Sequence, residues 1–219
     1  MANRGAVARD LDSRSTRDVI LDVAERHFAE RGFAGASVRE IAADAGLKNQ
    51  ASLYHYFDHK RALYEAVLSR GLEPIIAIVI ASSKAERPAN GDPETTIAPF
   101  LDPVIDHLAQ RPHLPRLIQR VALDDSHHLR DTLGKLLQPL YSEGLAVVAR
   151  SAVGWPAEDH FHVAVALYQL IFGYFANATL FEMVTGQDPL TGEPLERQRQ
   201  FLRTVVAHLL AFHPRSPKS

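Results

Sequence analysis

Apolar positions recur three and four residues apart along almost the whole chain. Nowhere do Val, Ile or Thr alternate over five or more residues, as a half-buried strand requires. The pattern predicts an all-α protein. Ile20, Val23, Ala24, His27 and Phe28 share one face of a first helix, which Thr16 can cap and Gly32 can stop. Ser37 heads a second helix, with Glu40 three residues on to complete a capping box and Val38, Ile41, Ala42 and Ala45 as its buried stripe. Gly46 ends it. A third, short helix covers about Gln50 to Tyr56 behind Asn49 as cap. A fourth starts at Asp58 and runs to about Ala81, with Leu63, Ala66 and Val67 on one side.

Residues 82–94, SSKAERPANGDPE, read as a loop or linker, since they combine two Pro, a Gly and mixed charge. Helical patterns follow at about 95–110, 113–124, 129–152, 157–185 and 194–212, punctuated by Pro112, Trp155-Pro156 and the loop 186–194. The expected organisation is a polar, mobile N-terminal arm over 1–14, a small helical domain over 15–72, a larger helical domain over 73–213 and a short tail over 214–219.

Two late helices carry more apolar surface than one core-facing stripe needs. In 157–185, Val163, Leu167, Leu170, Ile171, Tyr174 and Ala178 share a side, while Val165, Phe172 and Phe175 make other sides apolar. The last helix has a stripe of Leu195, Leu202, Val205, Val206, Leu209 and Leu210. Pairing both helices with symmetry mates would bury this surface, which predicts a homodimer face built on Val163, Leu167, Leu170, Ile171, Tyr174, Ala178, Leu202, Val205, Val206 and Leu209. Phe161 to Phe181 lacks Asp, Glu, Lys and Arg and is long enough to cross a bilayer. His162, Gln169 and Asn177 interrupt it, acids flank it, and basic anchors are missing, so a buried helix is expected and no membrane partner.

Composition narrows the class. Of 219 residues, 46% are apolar and 23% charged, an ordinary balance for a protein with a real core. Cys is absent, which removes disulfides and thiolate metal sites and suits a cytoplasmic location. The N-terminus lacks the apolar run of a secretion signal. Residues 1–70 hold 11 basic against 10 acidic side chains, and the whole chain is at −2, so a nucleic-acid reading must rest on local arrangement.

That arrangement exists at Ser37 to Tyr56: a helix, a Gly-containing turn and a second short helix. Two helices crossing this way leave the second free along one side to lie in a major groove. Its outward residues Lys48, Asn49, Gln50, Ser52 and His55 suit base edges, Lys for guanine and Gln or Asn for adenine. Phosphate anchors are expected around it: the Tyr54 hydroxyl, Lys60 at the start of the next helix, Thr16 and Ser37 heading theirs, and Arg17 and Arg39 adding charge. The competing reading is a plain helical hairpin in which Tyr54 and Phe57 only close the core; for Phe57 that reading is preferred.

The runs AERHFAERGFAGASVREIAADAGL (24–47) and SLYHYFDHKRALYEAVL (52–68) resemble the DNA-binding domain of TetR-type transcriptional regulators. The resemblance covers about a quarter of the chain. It implies an N-terminal three-helix helix-turn-helix domain and a larger helical domain for ligand binding and dimerisation. By resemblance, Gln50 to Tyr56 is the base-reading helix, with Tyr54, His55 and Lys60 near the backbone and Ser52 with the residues before it near bases. The sequence departs in one place: seven residues separate Gly46 from Tyr54 where the family pattern has six. The implied function is a sequence-specific regulator, released from a palindromic operator by a small-molecule effector.

Residues 75–213 hold no Gly-rich phosphate loop, Gly-x-Ser-x-Gly or His-Glu-x-x-His motif, so no enzyme and no cofactor is expected. The close histidine pairs, His127-His128 and His160-x-His162, point apart on a helix and predict no metal site. An effector cavity could draw on Phe100, Val104, His107, Leu117, Leu137, Tyr141, Leu145, Tyr168, Phe172 and Phe175, for a moderately apolar ligand with one or two hydrogen-bonding groups. Two rivals predict other behaviour. A non-specific architectural binder would show steep salt dependence without sequence preference. A helical enzyme or lipid carrier would turn over or hold a ligand without touching DNA.

Overall fold

A computed structural model describes residues 15–85, 93–123, 127–152 and 154–212; the arm, part of the 82–94 loop and the tail lie outside the described residues. The described chain is helical, without a strand. The helices are α1 (Thr16–Gly35), α2 (Val38–Asp44), α3 (Gln50–Tyr54), α4 (Lys60–Lys84), α5 (Pro93–Gln110), α6 (Leu114–Leu123), α7 (His127–Ser151), α8 (His160–Ala176), α9 (Ala178–Thr185) and α10 (Gly192–Ala211), with a 3-10 turn at Ala157–Asp159. They form two compact units, Met1–Arg70 and Gly71–Ser219, divided within α4.

In the first unit, Ser15 caps α1, accepting from the Asp18 amide at 3.2 Å. The expected cap, Thr16, is instead the first helical residue. Gly32 adopts φ 71°, a region that suits glycine, and breaks the helix there; the Ala36 amide returns to its carbonyl at 3.1 Å. Ile20, Leu21, Ala24 and Phe28 of α1 meet Ile41 and Ala42 of α2, Leu53 of α3 and Leu63, Tyr64, Val67 and Leu68 of α4 in one core. Phe28 stands edge-on to Tyr64 at 4.7 Å between centroids. Each such Leu, Ile or Phe contributes about 1.5–3 kcal/mol by leaving water. The Arg70 guanidinium ties α4 back to α1, donating to the Asp18 carbonyl at 3.2 Å and to Asp22 at 2.8 Å.

In the second unit, α10 packs along α5. Leu202, Val206 and Leu210 are buried, as are Leu101, Val104, Ile105 and Leu108. Their rim is ionic: Arg203 grips Asp102, and Arg199 reaches Asp106 at 2.5 Å. Where α4 enters this unit, Gly71 provides a close approach, since a Cβ there would stand 2.4 Å from Leu114 Cδ1. His107 Nε2 donates to the Gly71 carbonyl at 2.8 Å.

The single helix anticipated over 157–185 is broken. A 3-10 turn opens it, and α8 and α9 meet at Asn177 with a bend of 59°. The Asn177 side chain donates to the Gly173 carbonyl at 2.8 Å, the competition with the helical ladder to which Asn is prone. By length and composition α4 could also cross a membrane, with mean hydropathy 1.5 in its most apolar window. Here Leu63, Val67 and Leu68 are buried in the first unit and Leu72, Ile75 and Val79 in the second.

Candidate nucleic-acid interface

The short α2 is held by its cap and by α1. Ser37 Oγ accepts from the Glu40 amide at 3.4 Å. The reciprocal half of the capping box is spent elsewhere, because the Glu40 carboxylate takes Arg31 of α1. At the other end of α2, Asp44 accepts from Arg26 at 3.1 Å and from the buried His27 Nε2 at 2.8 Å. The His27 hydrogen bond, foremost, holds the Asp44 carboxyl below its ordinary range. Both acids of α2 are therefore matched by cations of α1, which lowers their repulsion toward an approaching polyanion.

Gly46 turns the chain at φ 74°, and Leu47 to Asn49 lead into α3. Asn49 is its cap: Oδ1 accepts from the Ser52 amide at 3.0 Å and from the Ser52 hydroxyl at 3.3 Å. The helix thus begins at Gln50, and the longer segment after Gly46 is taken up by the turn carrying Lys48. Leu53 is fully buried and anchors α3, leaving Gln50, Ala51, Tyr54 and His55 exposed. Gln50 Nε2 donates to the Tyr54 hydroxyl at 3.1 Å, one turn along.

The candidate anchors divide in two. Arg39 and Lys48 are exposed and have no partner among the described residues. Arg17 and Lys60 are docked on rings instead. The Arg17 guanidinium lies 5.1 Å from the Phe57 centroid, and Lys60 Nζ lies 4.9 Å from that of Phe33. Lys60 also donates to the Ala34 carbonyl at 3.4 Å, near the end of α1, and burial pulls its ammonium below the usual pKa. Phe57 is buried at 5% exposure and belongs to the core. Two features escaped the sequence reading. His59 Nδ1 accepts from the Ala62 amide at 2.9 Å, heading α4 in place of Asp58, and Tyr56 is exposed at 43%. A histidine cap has no strong sequence signature.

A family model, bacterial regulatory proteins of the tetR family, matches residues 20–67. That match lies within the first unit. The transcriptional repressor KstR2 of Rhodococcus jostii is 39% identical over 69 residues, which cover 31% of this chain and 33% of that protein. The repressor NicS of Pseudomonas putida is 26% identical over 148 residues, 68% of this chain and 66% of that one. The chain thus spans about a third of the first of these relatives. Among solved structures, the TetR family regulator PfmR of Thermus thermophilus superposes with TM-score 0.65 at 18% identity, over 93% of this chain and 100% of that one. The fatty acid degradation regulator FadR of Bacillus halodurans superposes with TM-score 0.63 at 16% identity, over 87% and 96%. At these identities the likeness is one of fold.

In the larger unit, the residues expected at a dimer face divide by burial. Val163, Ile171, Leu202 and Val206 are buried within the chain. Leu167, Leu170, Tyr174, Ala178, Val205 and Leu209 are half-buried, and the Tyr174 hydroxyl donates to the Pro189 carbonyl at 2.7 Å. Among the described residues of this unit, the large apolar side chains left outside are Tyr141, Phe161, Val165, Tyr168, Leu180, Met183, Val184, Phe201 and Phe212. A helix apolar on several sides offers more than one stripe, and periodicity does not say which turns inward. The cavity candidates scatter similarly. Val104, Leu117, Phe172 and Phe175 are core residues; Phe100, His107, Leu137 and Leu145 are half-buried; Tyr141 and Tyr168 are exposed. The structure brings together Tyr168 with Phe172, stacked at 4.9 Å, and Tyr141 only with Phe161 at 6.3 Å. Among the described residues, no three His, Asp or Glu side chains converge as metal ligands.

Proposed function

We propose that this chain is a TetR-family protein and a sequence-specific DNA-binding transcriptional regulator of the cytoplasm, a homodimer that represses from a palindromic operator until a small-molecule effector releases it. One observation carries the DNA-binding half: α3 is anchored by Leu53 alone and leaves Gln50, Ala51, Tyr54 and His55 facing outward, while the acids of α2 are engaged by Arg26 and Arg31. A short helix with one buried anchor and a small, polar outer side fits a major groove. The exposed Leu180, Met183 and Val184 of α9, with Phe161 and Phe201 also exposed, support the dimer, since large apolar side chains left in solvent mark an interaction face.

The test is fluorescence anisotropy with duplex DNA from upstream of the protein's own gene, across a salt series. The Tyr54→Phe, Lys60→Ala double variant is expected to bind at least ~10-fold more weakly, with a log–log salt slope reduced by about 1 for the lost lysine contact. Unchanged affinity and slope in a variant that melts like the wild type would overturn the assignment of these anchors.

A further inference from the structure

We infer that Gln50 is the base-reading residue of α3, selective for adenine, and that Tyr54 holds its amide in the reading position. The inference deepens the DNA-binding reading above and rests on it. It follows from which hydrogen-bonding groups the helix has already used.

Reading adenine in the major groove takes a donor and an acceptor side by side, for N7 and the N6 amino group. Asn49 has lost its acceptor. Its Oδ1 takes both the Ser52 amide and the Ser52 hydroxyl, at 3.0 and 3.3 Å, so only its amino group is available. Ser52 donates its one hydroxyl proton to Asn49 and keeps acceptor capacity alone. Ala51 carries no polar group, and Lys48 is a donor only, suited to guanine rather than adenine.

Gln50 differs. Its amide gives one proton to the Tyr54 hydroxyl at 3.1 Å. The second amide proton and Oε1 have no partner among the described residues, and together they are the donor–acceptor pair adenine requires. The bond to Tyr54 fixes the rotamer of a side chain that otherwise loses entropy on docking. The Tyr54 hydroxyl accepts from Gln50 and so keeps its own proton for a phosphate oxygen. Base contact and backbone contact are then joined through one hydrogen bond, and the phosphate grip sets where the amide points.

The experiment is selection of bound duplexes from a random-sequence library by the full-length protein, followed by affinity measurement on the selected site and its single-base variants. Wild type, Gln50→Ala, Asn49→Ser and Tyr54→Phe are compared, with melting curves for each. The wild type is expected to select a motif with an adenine in each half-site preferred by about 5- to 150-fold. Gln50→Ala should bring that one position near parity and leave the rest of the motif intact. Asn49→Ser keeps a capping side chain and should keep the motif. Tyr54→Phe should weaken the adenine preference as well as the overall affinity. A wild type that selects no motif overturns the DNA-reading function itself. A wild-type motif that persists unchanged in Gln50→Ala, or that is lost in Asn49→Ser, overturns the assignment of Gln50 alone.

Discussion

The two units use their apolar residues differently. Among the described residues of Met1–Arg70, the exposed large hydrophobics are Tyr54 and Tyr56, both ending in a hydroxyl and both in or beside α3. In Gly71–Ser219, Phe161, Val165, Leu180, Met183, Val184 and Phe201 stand in solvent, with Met183 and Val184 near four-fifths exposed. In the small unit the core is shared among four helices, and both acids of α2 are matched by cations of α1. The large unit has a core and further apolar side chains left over in solvent. What remains exposed on the first suits a polar partner, and what remains exposed on the second suits an apolar one.

The largest test of this contrast is to hollow the small core. Phe28→Ala removes a fully buried ring packed edge-on against Tyr64, and is expected to destabilise the first unit by about 3–5 kcal/mol in urea denaturation. A loss below about 1 kcal/mol would show that the small core is less closely packed than its burial indicates.

A smaller change, in association rather than folding, is expected from Met183→Glu combined with Val184→Glu. Two charges placed in an apolar contact should weaken self-association by about 10- to 100-fold in sedimentation equilibrium. The melting temperature of the dissociated chain should stay within a few degrees of its usual value, as for other surface substitutions. Association that ignores both charges would move the dimer face away from α9.

The smallest effect concerns Asp44. Its carboxyl is held below the ordinary range first by the His27 hydrogen bond and then by Arg26, so it favours the fold above about pH 4. That contribution disappears as the pH falls through the depressed pKa of the folded state. Asp44→Asn should therefore lower the melting temperature slightly at neutral pH, with the gap from wild type closing in acid. A gap independent of pH would assign the loss to packing instead of charge.

The contrast also marks how far the sequence could be read. In the first unit the signals were local. Ser37 and Asn49 heading their helices, Gly32 and Gly46 at positive φ, and Leu53 between polar neighbours each act within four residues and survive in the structure. Where local signals competed, the outcome needed neighbours. Glu40 could have closed its capping box or paired with Arg31, and the packing of α1 against α2 chose the pair. Lys60 was legible as a cation at a helix start. Its seat on Phe33 was not, because that contact joins residues far apart in the chain.

In the second unit the same reading identified helices but not their inward faces. Val163 and Val165 are equally apolar, yet one is at 2% exposure and the other at 41%. Nor did composition reveal the bend at Asn177, where a side-chain amide takes the Gly173 carbonyl. The sequence by itself determined that the chain is helical, where most helices start and stop, and which short helix turns a polar side outward, because caps, turns and periodicity are short-range. The tertiary structure alone decided which apolar stripe is core, which cations rest on rings, and which groups of the helix-turn-helix module remain free: Asn49 spent on its cap, Gln50 still open. Those are outcomes of competition between distant groups for the same hydrogen bonds and the same buried space.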